Sequence, residues 1–256
     1  MQIPFDALID RRKFLAQITL GYGFGTLITS GCSNDAPKER FTLNAKPKLV
    51  PMTYTAGAHV EVAGGMNFQT YVPPKALTRS IVPIMIVLHG ANKGVDSLLS
   101  LHRAQADDLG IIVVAPLSTD YTWDAIHARF GVDVDGIDAV LKYLFDRVPT
   151  DWSKVILSGF SDGATYALGL GRANGNLFPK IVSYSPGFLL DCPPVGKPSI
   201  VISHGTADSV LPYAYTQGTI VPTLVTAGYA VDFQTFAGNH QVNVPTLQAE
   251  MAKLGA

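Results

Sequence analysis

The chain has 256 residues, of which 47% are hydrophobic and only 15% are charged. This composition excludes a disordered chain, and the length suits one or two globular domains. Nineteen basic and 20 acidic residues give a net charge of −1, which offers no basic excess for binding nucleic acid. Two cysteines are too few for a disulfide-stapled scaffold, and the six histidines show no metal-ligand spacing. We therefore expect no metal and no cofactor.

The first 31 residues are typical of an export signal. Arg11-Arg12-Lys13 precedes the uncharged stretch Phe14 to Gly31, whose hydrophobicity is diluted by Gln17 and four glycines. The arginine pair followed by Phe14 and Leu15 resembles the twin-arginine export motif, although Asp10 stands where Ser or Thr is usual. An ordinary secretory signal or a single anchor helix is the alternative.

The next segment resembles the cleavage site of a bacterial lipoprotein. In Thr29-Ser30-Gly31-Cys32, small residues flank the expected cleavage point, although Thr29 replaces the usual Leu. Cys32 would then carry lipid, and residues 32–53, rich in proline and charge, would form a solvated tether. The expected location is the periplasm or cell envelope, with membrane contact through the lipid only. Cleavage by a general signal peptidase is the alternative.

From Tyr54 onward, short apolar runs alternate with amphipathic stretches. Runs of five residues or fewer, rich in β-branched side chains, predict strands buried on both faces of a parallel sheet. The predicted strands are Ile84–Leu88, Ile111–Ala115, Val155–Ser158, Lys180–Ser183, Ser199–Ser203 and Asp232–Phe236, and the predicted helices are Val134–Val148, Asp162–Leu170 and Tyr215–Ala227. This alternation predicts a single α/β domain over residues 54–256, with helices on both faces of a mostly parallel sheet.

A G-x-S-x-G pattern lies between one of these strands and the helix that follows it. Gly159 and Gly163 flank Ser161 at a turn so sharp that side chains at the glycine positions would clash. The start of the helix behind the serine directs N–H groups and a positive dipole toward an anionic intermediate. Such a pattern predicts a nucleophilic serine, although alone it is also compatible with a tight turn that carries a surface serine.

An acid and a histidine follow two later strands. Asp208 lies in His204-Gly205-Thr206-Ala207-Asp208, and His240 ends Ala237-Gly238-Asn239-His240. Open α/β sheets place their sites at the carboxyl ends of strands, so Ser161, Asp208 and His240 are expected to meet there. Serine needs a base to become nucleophilic, and the base needs an acid that fixes its tautomer, so this set predicts a catalytic triad.

Taken together, the chain over Ile81–Gln241 resembles the α/β-hydrolase superfamily, specifically the phospholipase/carboxylesterase-like serine esterases, with kinship to polyhydroxybutyrate depolymerase-like esterases. The motifs that carry the resemblance are Leu88-His89-Gly90-Ala91, Thr122-Trp123-Asp124, Gly159-Phe160-Ser161-Asp162-Gly163-Ala164, Tyr184-Ser185-Pro186-Gly187, His204-Gly205-Thr206-Ala207-Asp208 and Gly238-Asn239-His240. The resemblance implies an oxyanion hole built from the backbone N–H groups of Ala91, or a neighbour, and Asp162.

The connection between two predicted strands bears on the substrate pocket. Only 15 residues, Tyr184 to Pro198, separate them, which leaves no room for a helical cap. We expect a shallow, open site for short-chain acyl or hydroxyacyl esters, and expect its acyl-pocket walls to be Trp123, Phe160, Phe188 and Leu189. Simple core packing is the alternative for each of these four side chains.

The sequence thus predicts a serine carboxylesterase that acts on a small-molecule ester. A thioesterase, amidase or peptidase using the same triad stays open, as does a non-catalytic hydrolase-fold binding protein at the cell surface. The oligomeric state is not determined by these patterns.

Overall fold

The structure is a computed structural model that describes residues 40–256. The predicted export signal, the predicted lipid acceptor Cys32 and the tether up to residue 39 lie outside the described residues and stay predictions.

The described chain forms eight strands and six helices. The strands are β1 Gly57–Ala63, β2 Met66–Val72, β3 Ile84–Leu88, β4 Ile112–Pro116, β5 Val155–Phe160, β6 Lys180–Tyr184, β7 Ser199–Gly205 and β8 Val231–Phe236. The helices are α1 Val95–Leu109, the single turn α2 Asp124–His127, α3 Val132–Phe145, α4 Asp162–Ala173, the composite helix α5 over residues 213–226, and α6 Val244–Gly255. Helix α5 is composite, with Tyr213–Tyr215 and Val221–Thr226 joined by the π-helical turn Thr216–Ile220.

All eight strands belong to one sheet in the order β1-β2-β4-β3-β5-β6-β7-β8. Strands β3 to β8 pair in parallel, and the β1–β2 hairpin is antiparallel to β4. The predicted mostly parallel α/β sheet is therefore confirmed, with each predicted strand present to within two residues at either end. No helix or strand interrupts residues 185–198 between β6 and β7, so the described chain carries no cap domain there.

Side chains that alternate along the strands divide the core into two layers. Along β3, Ile84, Ile86 and Leu88 join the layer covered by α3, α4 and α5, whereas Met85 and Val87 join the layer covered by α1 and α6. A strand buried on both faces needs apolar side chains at every position, which explains the uninterrupted apolar runs in the sequence. Helices thus pack on both faces of the sheet, and the loops at its carboxyl edge start from strands that are fixed in the core.

Residues 40–53 pack on the domain, so the predicted tether over residues 32–53 is wrong for this part. Leu43 and Ala45 are buried in the core layer that α3 covers. The backbone N–H groups of Asn44 and Ala45 donate to Asp138 on α3 at 2.6 and 2.8 Å. The segment was predicted to be solvated because it is rich in proline and charge, and this composition outweighed the few apolar residues, Leu43 and Ala45, that are buried.

Within residues 40–256, none of the helices has both the length and the hydrophobicity required to cross a bilayer.

Candidate active site

The turn after β5 holds Ser161 in a strained conformation. Its φ of 58° and ψ of −120° lie outside the regions that non-glycine residues normally occupy. A Cβ on Gly159 would lie 2.1 Å from the carbonyl oxygen of Gly163, and a Cβ on Gly163 would lie 2.2 Å from that of Leu88. Both glycines are therefore required by backbone packing, and the tight turn presents the Ser161 side chain above the carboxyl edge of the sheet.

Three loops at this edge bring Ser161, His240 and Asp208 into one hydrogen-bonded chain. Nε2 of His240 is 2.9 Å from Oγ of Ser161, and Nδ1 of His240 is 2.7 Å from Oδ2 of Asp208. Because the carboxylate can only accept, Nδ1 carries the proton and Nε2 is left to accept from the serine hydroxyl. This is the arrangement in which a histidine can remove a proton from an attacking serine.

The side chain of Asp208 is buried, and both of its carboxylate oxygens face hydrogen-bond donors. Oδ1 accepts from the backbone N–H groups of Val210 and Leu211 at 2.9 and 2.8 Å, and Oδ2 faces the two histidines His204 and His240. Burial alone would raise the pKa of Asp208, but these hydrogen bonds outweigh it and hold the pKa well below its usual range. Asp208 is therefore a fixed negative charge at neutral pH.

Two further contacts hold His240 and its loop in place. The ring of Phe160 packs on its imidazole with ring centroids 4.8 Å apart. The side-chain oxygen of Asn239 accepts from the backbone N–H of His240 at 2.8 Å and from that of Ser209 at 2.8 Å. These contacts join the loops after β7 and β8, so the acid and the base keep their relative positions.

Of the two residues predicted to supply oxyanion donors, Asp162 directly follows Ser161, and Ala91 lies in a loop that packs against the serine through Gly90. Asp162 is the first residue of α4, where backbone N–H groups have no partner inside the helix. Ala91 begins a 3-10 turn after Gly90, and a Cβ on Gly90 would lie 3.1 Å from Cβ of Ser161. The loop from His89 to Ala91 therefore lies directly against the serine, as an oxyanion hole built from these two amides requires.

The imidazole of His89 holds that loop in place through contacts of both ring nitrogens. Its Nε2 accepts from the backbone N–H of Ser118 at 3.0 Å, and its Nδ1 is 2.6 Å from the carbonyl oxygen of Gly90. Burial lowers the pKa of His89 and favours the neutral ring that these two partners require. The His89 carbonyl in turn accepts from the indole N–H of Trp123 at 2.8 Å.

The prediction that Trp123 lines the acyl pocket is wrong. Its side chain is fully buried, with its ring between those of His89 and Tyr166 at centroid distances of 4.7 and 5.1 Å. An indole has a large apolar surface and one donor, and here the donor is used on the oxyanion loop. Trp123 therefore supports that loop and makes no pocket wall.

The other three predicted pocket residues lie near the carboxyl edge with partial exposure. Phe160 contacts His240, while Phe188 and Leu189 lie in the loop after β6. The backbone N–H of Gly187 in that loop donates to Oγ1 of Thr165 at 2.9 Å, which holds the loop on α4. Leu189 and Phe160 also pack on the two core layers, so Phe188 is the strongest candidate for a pocket wall.

Two features of the site were missed by the sequence reasoning. Nε2 of His204 lies 3.1 Å from Oδ2 of Asp208, and Oδ2 of Asp162 accepts from Oγ1 of Thr122 at 2.8 Å. Burial, opposed by that hydrogen bond and by the charges of His127 and His240, raises the pKa of Asp162. The position of His204 four residues before Asp208 was the available signal for the first contact.

Two shallow grooves on the surface lie away from Ser161, His240 and Asp208. Two grooves, of about 170 and 390 Å³, lie at the amino ends of the strands around Lys180, Ser199 and Lys253, far from the turn that carries Ser161. Within residues 40–256, no group of three or more His, Cys, Asp or Glu side chains is arranged to hold a metal ion.

No protein-family model and no curated protein matches this chain in sequence. Solved structures do match. An esterase described as PE8 is 20% identical with a TM-score of 0.59, covering 76% of this chain and 98% of its own. An S-formylglutathione hydrolase from Staphylococcus aureus is 14% identical with a TM-score of 0.61, covering 80% and 99%. A ferulic acid esterase from Anaeromyces mucronatus is 16% identical with a TM-score of 0.59, covering 84% and 96%. The chain thus has the α/β-hydrolase fold of these proteins, in accordance with the resemblance found in the sequence.

Proposed function

We propose that this protein is a serine hydrolase that cleaves carboxylic esters through an acyl-enzyme. The observation that carries the proposal is the continuous hydrogen-bonded chain from Ser161 through His240 to Asp208, with distances of 2.9 and 2.7 Å. A fold can host many functions, so the proposal depends on this geometry and not on the fold alone. A non-catalytic binding protein would not require a strained serine aligned with a base and a buried acid.

The reaction follows from the positions of the groups. Oγ of Ser161 attacks the ester carbonyl carbon while Nε2 of His240 takes the hydroxyl proton, and the charge of Asp208 stabilises the resulting imidazolium. The N–H groups of Ala91 and Asp162 stabilise the negative charge on the carbonyl oxygen. As the tetrahedral intermediate collapses, the ester C–O bond breaks and His240 gives its proton to the departing alcohol.

The second half of the reaction returns the enzyme to its starting state. A water molecule gives a proton to His240 and attacks the acyl carbon, and the acid product leaves as Oγ of Ser161 regains that proton. We infer small-molecule esters with short acyl or hydroxyacyl groups as substrates, because residues 185–198 form no cap that could enclose a long chain. Two similar structures are described as S-formylglutathione hydrolases, so thioesters belong in the same substrate screen.

The test of the triad is the replacement Ser161→Ala. Removing the nucleophile is expected to lower kcat for p-nitrophenyl acetate by about 10⁴- to 10⁶-fold while the protein stays folded. Ser100→Ala, at an exposed serine on α1, is the matched control and should retain wild-type activity. A fluorophosphonate probe should label wild-type protein at Ser161 and leave Ser161→Ala unlabelled. Full activity in the folded Ser161→Ala variant would contradict the proposal.

We further propose that the protein is exported by the twin-arginine route and tethered to the cell envelope by lipid on Cys32. The support is the sequence Arg11-Arg12-Lys13 and the small residues before Cys32. The double replacement Arg11→Lys and Arg12→Lys should block export, since that pathway recognises the arginine pair itself. Cys32→Ser should release the protein from the membrane fraction. Normal export of the first variant would indicate the general secretory route, and unchanged membrane association of the second would indicate an uncleaved anchor.

A further inference from the structure

A second histidine shares the carboxylate of Asp208 with His240. His204 lies on β7 with its side chain fully buried. Its Nε2 is 3.1 Å from Oδ2 of Asp208 and 3.1 Å from the carbonyl oxygen of Leu211. The same Oδ2 lies 2.7 Å from Nδ1 of His240. One carboxylate oxygen therefore faces two imidazole rings, of which the proposed reaction uses only one.

The partners of His204 assign its proton. Both groups that face Nε2 are acceptors, so Nε2 must carry a hydrogen. Nδ1 is buried with no hydrogen-bond partner among residues 40–256, and a proton there would be an unsatisfied donor. His204 is therefore the neutral Nε2–H tautomer. The ring of Tyr213 packs against it at a centroid distance of 6.0 Å and an interplanar angle of 74°.

This donor adds to the contacts that hold the acid in place. Oδ1 of Asp208 is held by the amides of Val210 and Leu211, but those bonds act on one oxygen only. The other oxygen, Oδ2, faces Nδ1–H of His240 at 2.7 Å. Nε2–H of His204, which is shared with the carbonyl oxygen of Leu211, is a second donor 3.1 Å from Oδ2 and resists rotation of the carboxylate about its Cβ–Cγ bond. It also disperses part of the negative charge that would otherwise act on His240 alone.

We propose that His204 is a positioning residue of the triad, which fixes the Asp208 carboxylate through Nε2–H and limits how strongly His240 holds its proton. This inference rests on the proposed role of Ser161, His240 and Asp208. Two acidic groups act on His240, Asp208 from the loop after β7 and Asp162 from the start of α4. Loss of the His204 donor strengthens the attraction between Asp208 and the His240 proton and leaves the effect of Asp162 unchanged.

Three variants separate the donor from the shape of the ring. His204→Leu fills the site without a donor. His204→Gln can present an amide N–H near the position of Nε2, whereas the shorter His204→Asn places its amide near Nδ1 and leaves Asp208 without the bond. Gln and Asn differ by one methylene and carry the same functional group, so this pair remains informative if the Leu variant does not fold.

The first measurement is the pH profile of kcat and KM for p-nitrophenyl acetate. His204→Leu and His204→Asn should lower kcat on the order of tenfold, the lower end of the effect of one hydrogen bond to a charged group. KM should change little, and the acidic limb of kcat/KM should move to higher pH. His204→Gln should recover most of kcat and keep the wild-type limb. A limb that does not move in the Leu and Asn variants, or a Gln variant as impaired as the Asn variant, would overturn the proposal.

The second measurement does not require turnover. Proton NMR titration of the His240 ring, assigned by comparison with His240→Gln, should show a higher midpoint in His204→Leu than in wild type. In an Asp208→Asn background the same replacement should have no further effect, because the charge that couples the two histidines is gone. An equal shift in both backgrounds would show that His204 does not act through Asp208. Absence of ester hydrolysis by wild-type protein would instead contradict the proposed function, and the NMR result would still decide the role of His204.

Discussion

Replacement of Gly163 by alanine should damage both the stability and the activity of this protein. The added Cβ would lie 2.2 Å from the carbonyl oxygen of Leu88 and 2.5 Å from that of His89, about 1 Å closer than a carbon and an oxygen normally approach. Both obstacles are backbone atoms, so no side-chain rotation relieves the contact. The end of β3 must therefore move away from α4, although the pairing of Leu88 with Gly159 holds it in place.

The expected cost follows from two opposing contributions. Alanine favours a helix over glycine by roughly 0.5–1 kcal/mol, whereas overpacking of this kind costs about 3 kcal/mol, near the upper end of the usual range. The net loss is about 2 kcal/mol, or a fall in Tm of roughly 4–8 °C for a domain of this size. The shift also moves the loop that carries Gly90 and Ala91 relative to Ser161, and a displacement of 1 Å at such a site costs about 10²-fold in rate.

Urea unfolding and ester hydrolysis by the same preparations provide the assay. Gly218→Ala is the matched control, because no atom lies within 4 Å of a Cβ at that position and its φ is not positive. This control should be neutral or slightly stabilising, with wild-type kcat/KM. A Gly163→Ala variant with wild-type stability and wild-type kcat/KM would refute the assignment of Gly163 to a backbone contact that sets the oxyanion loop.

Two further predictions concern acid stability and substrate length. Burial lowers the pKa of His102 from 6.5 to about 4; the unfolded chain therefore takes up a proton first as pH falls, and stability present above pH 6.5 is lost between pH 6.5 and 4. At pH 4.5 this loss of stability is about 2–3 kcal/mol. The difference in unfolding free energy between wild type and His102→Leu, measured by urea unfolding, should therefore change by that amount between pH 7 and pH 4.5. An equal difference at the two pH values would contradict the prediction. With p-nitrophenyl esters of graded length, kcat/KM should rise up to acyl groups of roughly two to six carbons and then level off, since each buried methylene contributes ~0.8 kcal/mol only while it is out of water. A continued rise to long chains would indicate an enclosed acyl site.

The sequence could predict the central sheet because local composition alone decides that part of the fold. Strands buried on both faces require unbroken apolar runs, and β3 and β4 show this pattern. The β1–β2 hairpin was missed, because β1 alternates exposed and half-buried residues and places Val60 and Val62 at the exposed positions. Helices α1 and α6 were missed as well, since each buries only a narrow apolar stripe.

In the candidate active site too, the sequence predicted some features and missed others. The sequence alone determined that a serine stands between two glycines after a buried strand and that an acid and a histidine follow later strands, because parallel strands deliver their carboxyl ends to one edge. Only the tertiary structure decided where the neighbouring side chains go. Trp123 is buried against His89, next to the loop that carries Gly90 and Ala91, and His204 shares the carboxylate of Asp208 with His240. Side-chain destinations of this kind depend on contacts between residues far apart in the chain, and no local pattern contains them.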